Sequence, residues 1–231
     1  MGISLYLAMT AAEISACDTL PDMLAYMACH FSPYSTGLSN IPGSLPPESV
    51  LILNDRTPIC GHDPKLITYQ LTQALDELQC KGLLLDFQRP GCEESAVLAK
   101  QLINEVPCPV GLSAAYAAEH SCPVFLPPPP LDDPLADYLA PWAGREVWLE
   151  AALDGTQLNL TAKGCKTSPI PFPALSGGFC DEDLCCHYQI HPHPDRAEFI
   201  LYRTREDLDA LLSKAESFGV TTAIGLWQEL N

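Results

Sequence analysis

Four side chains have the type and placement to do chemistry: Asp55, Asp86, Gln88 and Glu150, each at or near the end of a short apolar run. Asp86 and Gln88 sit two apart on one extended segment, so both point to the same side. They read either as a buried polar pair bonded to each other or as an orienting carboxylate with an amide donor for a ligand. Asp55 reads either as a partner of Arg56 or cap of its loop, or as a cavity-facing acid; Glu150 is likewise a satisfied strand-end charge or an acid. Aromatic faces and imidazoles add binding capacity. Trp227 closes the last apolar run, His30 and Tyr34 flank the loop after the second, and His62 lies in a helix-entry turn, Gly61-His62-Asp63-Pro64. Trp148 reads as core, as do Tyr6 and Tyr26.

A second cluster, CDEDLCCHYQIHPH over residues 180–193, brings Cys180, Cys185, Cys186, His187, His191 and His193 together. Thiolate and imidazole are zinc ligands. The spacing fits no C-x2-C framework, and neighbouring Cys185 and Cys186 point to opposite faces, so these read as small buried residues with His191–His193 as a turn. No metal is expected. There is no G-x-G-x-x-G, Walker loop, G-x-S-x-G or H-E-x-x-H, and no cofactor is expected either.

Eight brief apolar runs must position these groups: Ser4–Met9, Met23–Phe31, Val50–Asn54, Gly82–Phe87, Val110–Ala114, Pro123–Leu126, Glu146–Leu153 and Thr221–Trp227. Their length and continuity predict strands buried on both faces, as in a parallel sheet. Three helices stand out between them. Asp63 and Pro64 open one, with Ile67, Leu71, Ala74, Leu75 and Leu78 on its inner face. A second spans about 93–106, with Val97, Leu98, Leu102 and Ile103 inward. The third starts at the capping pair Thr204 and Asp207, buries Leu208, Leu211, Leu212, Ala215 and Phe218, and stops at Gly219. Residues 32–49 read as a long loop. Alternation at Gln157–Thr161, His187–Ile190 and Glu198–Tyr202 predicts a small β insertion at about 155–203. The 22 prolines, clustered at 42–47, 127–134 and 168–173, cut the chain into these short units. The expected architecture is α/β: one compact (β/α)8 TIM barrel over residues 1–231 with that insertion between strands seven and eight, an open doubly wound sheet being the alternative.

The fourth strand, Lys81-Gly82-Leu83-Leu84-Leu85-Asp86-Phe87-Gln88, resembles the fourth-strand signature D-G-x-D-x-D-x-E of family 18 glycoside hydrolases, the chitinase-like barrels. Gly82, Asp86 and Phe87 match. The last unit, LYRTREDLDALLSKAESFGVTTAIGLW, is similar to that family's closing strand–helix–strand, where a Trp at the place of Trp227 stacks on sugar. The resemblance covers about residues 63–228. It implies that Asp86 holds a substrate acetamido group and that position 88 carries the proton donor, in a substrate-assisted departure from the two-carboxylate rule. Position 88 is Gln, Lys81 and Leu84 replace two further acids, and an amide delivers no proton at neutral pH. Loss of a positioned acid forfeits about 10²–10⁴ in rate. The resemblance therefore implies a glycan-binding or non-hydrolytic barrel for N-acetylhexosamine-type carbohydrate. An active hydrolase with its acid relocated to Asp55 or Glu150, and an interaction scaffold without a small-molecule site, are the alternatives.

Charge narrows the partners. With 12 Lys+Arg against 29 Asp+Glu, the net charge of −17 repels phosphate backbones and anionic lipid, so neither nucleic acid nor membrane is an expected partner. No apolar run is long enough to span a bilayer, the start lacks a basic leader, and the 11 cysteines read as reduced thiols of a cytoplasmic protein.

Overall fold

The computed structural model describes residues 2–89, 91–170 and 177–231; part of the proline cluster at 168–173 lies outside them. Along the chain the strands are β1 (Ser4–Met9), β2 (Leu24–Phe31), β3 (Leu38–Ser39), β4 (Val50–Asn54), β5 (Gly82–Asp86), β6 (Val110–Ser113), β7 (Val124–Leu126) and β8 (Val147–Ala151). The antiparallel set β9 (Gly155–Thr161), β10 (Gly164–Ile170), β11 (Phe179–Asp181), β12 (Cys186–Pro192) and β13 (Arg196–Tyr202) comes next, and β14 (Val220–Leu226) follows it. The helices are α1 (Ala11–Ala16), α2 (Pro64–Glu77), α3 (Glu93–Glu105), α4 (Ala114–Ala117), α5 (Leu135–Leu139), α6 (Arg205–Glu216) and α7 (Trp227–Leu230).

Eight parallel strands close in the order β1-β2-β4-β5-β6-β7-β8-β14, with β14 returning to β1. This is a TIM barrel, and its strands are the eight apolar runs. Each strand is apolar on both faces because each faces two cores. In β5, Leu83 and Leu85 pack outward under the helices, while Leu84 points inward with Ile52, Phe125, Trp148 and Ile224. Residues 32–49 contain more than a loop: β3 pairs antiparallel with β2 outside the ring.

Trp148 fills the lower barrel. A Cβ added at Gly111 would stand 2.5 Å from its ring, and one at Gly82 would stand 2.9 Å away. The indole N–H donates to Glu146 Oε1 at 3.2 Å, so the one polar atom of the plug is satisfied.

The predicted helices form with their caps. Asp63 accepts the Lys65 N–H at 3.0 Å with Pro64 in the first turn, and Thr204 and Asp207 make a reciprocal capping box on α6. Two inward assignments fail. Val97 is 55% and Phe218 41% exposed, because Ser95, Leu98, Ala99 and Leu102 form the buried stripe of α3 and Phe218 lies past the end of α6.

Between β8 and β14 the β insertion forms a sheet ordered β10-β9-β13-β12-β11, with Leu131, Cys186 and Leu201 in its own small core. His191 and Pro192 belong to β12, and the turn starts only at His193, whose N–H closes the hairpin on Arg196 O at 2.8 Å. Arg203, 2% exposed, fastens the junction through Pro129 O at 2.9 Å, Asp154 Oδ1 at 3.1 Å and Pro130 O at 3.3 Å. The barrel seam has its own clasp. Glu13 closes the capping box of α1 through Oε2, and its Oε1 accepts from Gln228 Nε2 at 2.6 Å.

If Trp148 is the plug, Gly111→Ala destabilises the fold by about 1–3 kcal/mol through overpacking. Urea unfolding measures this, and the loss shrinks when the same change is made beside Trp148→Phe. An unchanged midpoint for Gly111→Ala alone would refute the packing argument.

Candidate functional site

Side-chain alternation sets which residues reach the mouth. Above the inward layer of Ile52, Leu84, Trp148 and Ile224, the next inward positions on the same strands are Asn54, Asp86, Glu150 and Leu226. These four, with Arg56, Gln88, Met27 and Phe125, line a cavity of about 140 Å³ at the C-terminal ends of the strands. That is the face where barrels of this class carry their chemistry. Larger hollows of about 470 and 720 Å³ border Gly144–Glu146, just before β8, at the opposite end and away from the carboxylates.

Asp86 and Gln88 meet as their spacing requires: Gln88 Nε2 donates to Asp86 Oδ1. Burial pushes the Asp86 carboxyl above its ordinary range, as does the charge of Asp55, while the Gln88 amide, Arg56 and Ser113 pull it down. Glu150 faces the same cavity. Burial, then the charges of Asp86, Glu229 and Asp154, push it up to about 7. A carboxyl at that value is divided between its acid and its base form near neutral pH.

Asp55 has another place. It is 3% exposed, and its two oxygens accept the backbone N–H groups of Gln88 at 2.9 Å and Arg89 at 3.0 Å. It is a clamp on the chain leaving β5, and it positions Gln88. Asn54 is pinned beside it, with Nδ2 donating to Cys29 O at 3.2 Å while Oδ1 accepts the Arg56 N–H at 3.2 Å.

The binding residues disperse. Trp227 opens α7 and packs, half-buried, against the core between barrel and helices. One residue back, Leu226 has the inward parity and lines the cavity. His30 is half-buried, with Nδ1 2.9 Å from Ala28 O on its own strand. Tyr34 is 95% exposed. His62 is held at both ring nitrogens, 2.8 Å from Ile59 O and 2.9 Å from Ser32 O, and its ring lies 5.3 Å from that of Phe31. It borders a separate hollow of about 280 Å³ with Val97 and Glu94.

Asn54, Arg56 and Leu226 went unmarked in the sequence, although period-two counting from Ile52 and Ile224 leads to them.

No protein-family model matches the chain, and no curated protein matches it. Solved structures do. A class V chitinase from Nicotiana tobaccum, a mutant in complex with NAG4, superposes with a TM-score of 0.62 at 12% identity over 100% of this chain and 95% of that one. The chitinase-like agglutinin of Robinia pseudoacacia gives 0.60 at 13% identity, over 98% and 95%. A GH18 chitinase from Cycas revoluta, a mutant in complex with (GlcNAc)4, gives 0.58 at 11%, over 97% and 94%. The chain has a family 18-like fold. At these identities the likeness is one of backbone.

The raised Glu150 has a sign in stability. Its folded value of about 7 lies above the ordinary 4.5, so the folded state holds a proton that the unfolded chain releases between these values. Stability falls as pH rises through that window and levels off above it. Glu150→Gln therefore stabilises the protein at pH 8, on the order of 1–3 kcal/mol, and has little effect at pH 4. Thermal unfolding of both proteins at the two pH values checks this, and equal shifts at both would count against it.

Proposed function

We propose that the chain is a glycan-binding, non-hydrolytic barrel whose mouth takes an N-acetylhexosamine-type carbohydrate. The observation that carries this reading is the Gln88 amide with its N–H on Asp86 at the mouth, at the position to which the fourth-strand resemblance assigns the proton donor. A carboxamide there orients a carboxylate and donates to a ligand oxygen, but it has no proton to give a leaving group. The cavity suits such a role. At about 140 Å³ it falls below the ~300–1,000 Å³ of sites that enclose a whole drug-sized ligand, so it would take one group of a sugar while the rest lies across the open mouth. Asp86 would accept an amide N–H there, and Arg56 would meet a hydroxyl. The names of the similar structures, two chitinases with bound sugars and an agglutinin, agree with a carbohydrate ligand.

A second reading has its own observation. Glu150 and Asp86 line one cavity, and Glu150 is pushed up to about 7, the condition of a general acid at neutral pH. Hydrolysis by a relocated donor would use this pair. Asp55 serves neither reading as an acid, since both its oxygens hold main-chain N–H groups.

Thermal shift against chitooligosaccharides tests the first reading. A ligand at 100 times its Kd stabilises by about 2.7 kcal/mol, or roughly 5–10 °C at about 2–4 °C per kcal/mol. The shift is expected in the native protein and lost in Asp86→Ala. On a chromogenic N-acetylglucosamine oligomer the native protein should show no turnover, and Gln88→Glu a measurable gain. Native turnover that disappears in Glu150→Gln would establish the second reading instead. No shift with any glycan would end both.

A further inference from the structure

Away from the mouth, the β insertion and the last long helix of the barrel meet at a cluster of three different donor types. Antiparallel pairing of β11 with β12 sets Cys180 directly opposite His187. Asp207, in the first turn of α6, closes on them from the barrel side. One ligand-capable atom from each, a thiol sulfur, an imidazole nitrogen and a carboxylate oxygen, lies within 4.8 Å of the other two.

We propose that Cys180, His187 and Asp207 bind a divalent, thiol-tolerant cation of the zinc class, which ties the insertion to α6. Sulfur, imidazole and carboxylate are the donors that zinc takes, with bonds of about 2.0–2.3 Å, which puts tetrahedral donors roughly 3.3–3.8 Å apart. Cys180, unbridged and exposed on β11, can close the remaining gap by rotating its side chain. The other two are already fixed. His187 Nδ1 sits 2.7 Å from Asp207 Oδ2 in a hydrogen bond whose proton leaves to solvent when the ion takes its place, and the ring stacks on Tyr202 with centroids 5.7 Å apart. The same Asp207 oxygen accepts the Thr204 N–H at 2.9 Å and its hydroxyl at 2.8 Å. Both side chains are thus held at the site, and they need to part by only about 0.6 Å to reach tetrahedral spacing around the ion.

Charge favours a cation over the other chemistry that a Cys–His–Asp group could perform. A cysteine nucleophile works as a thiolate among positive groups. Here Asp181, Glu182 and Asp183 follow Cys180 directly, and Asp207 lies beneath. Such surroundings repel a bare thiolate and attract a metal that would stabilise it. The other cysteines of the motif are unavailable. Cys185, in the turn before β12, is buried in the barrel–helix core, and Cys186, the first residue of β12, in the core of the insertion. With three protein donors, a water completes the coordination.

The test is cobalt titration of the whole protein, stripped with a chelator and kept reduced and anaerobic. The expected result is a thiolate-to-cobalt charge-transfer band in the near ultraviolet with visible d–d absorption, bleached by added zinc. Cys180→Ser should lose the charge-transfer band, and His187→Ala should weaken cobalt binding at least tenfold. Cys165→Ser, which removes another exposed thiol, should leave the spectrum unchanged. Circular dichroism confirms that each variant is folded. Should His187→Ala unfold, Cys180→Ser decides alone, since its side chain is at the surface. A cobalt spectrum identical in Cys180→Ser, or no thiolate band in the native protein, would overturn the assignment.

Discussion

Trp148 decides what the rest of the barrel interior can be. An indole laid across the axis leaves no room for side chains at Gly82 and Gly111, and Leu84, Ile52, Phe125 and Ile224 pack with it into one apolar layer. At the mouth end, the polar groups of the cavity stand in one inward layer at the rim. They rest on an apolar floor that offers them no counter-charge, so a carboxylate there is desolvated from below while still open to ligand above. This explains why Glu150 and Asp86 are both raised, and burial comes first among the causes for each. Arg56 is the cation in the cavity lining, and it stands beside Asp86.

The second constraint is the Asp55 clamp. A buried carboxylate with two backbone N–H groups on it makes charge-assisted bonds, stronger than neutral ones. It fixes the chain at residues 88 and 89 through main-chain atoms. Arg89 is held again by its own guanidinium on Arg56 O at 2.8 Å and by the Tyr116 hydroxyl on its carbonyl. The location of position 88 over the cavity is thus independent of which side chain it carries. A barrel built this way can change the chemistry at that position and keep the geometry.

Most of the architecture was legible because a doubly buried strand has a distinctive look: a short unbroken apolar run between polar or proline-rich turns. All eight barrel strands show it, and the caps at Asp63 and Thr204 mark two helix starts. β3 was illegible because two residues carry no period. Val97 misled because a valine beside a buried stripe looks like part of it until the helix is rotated into place. Within the site, Asp86 and Gln88 followed from spacing alone. Asp55 did not, because its partners are backbone N–H groups 33 and 34 residues away, and no residue type announces them. Trp227 was drawn in by its resemblance to a stacking tryptophan, whereas strand parity gives the cavity to Leu226.

Glu13 reaches across the seam to Gln228, 215 residues away, while the same carboxylate caps α1. Neighbouring strands elsewhere in the barrel pair across a few tens of residues, apart from β8 with β14, which the insertion separates. Loop-closure entropy grows with the length of chain enclosed, so joining β1 to β14 carries the largest such cost in the molecule. The open sheet from β1 to β8 can zip up through near neighbours, whereas the ring needs both ends of the chain at once. Barrel closure is therefore the pairing of greatest sequence separation in the ring, and its clasp draws on a carboxylate already placed by the capped helix.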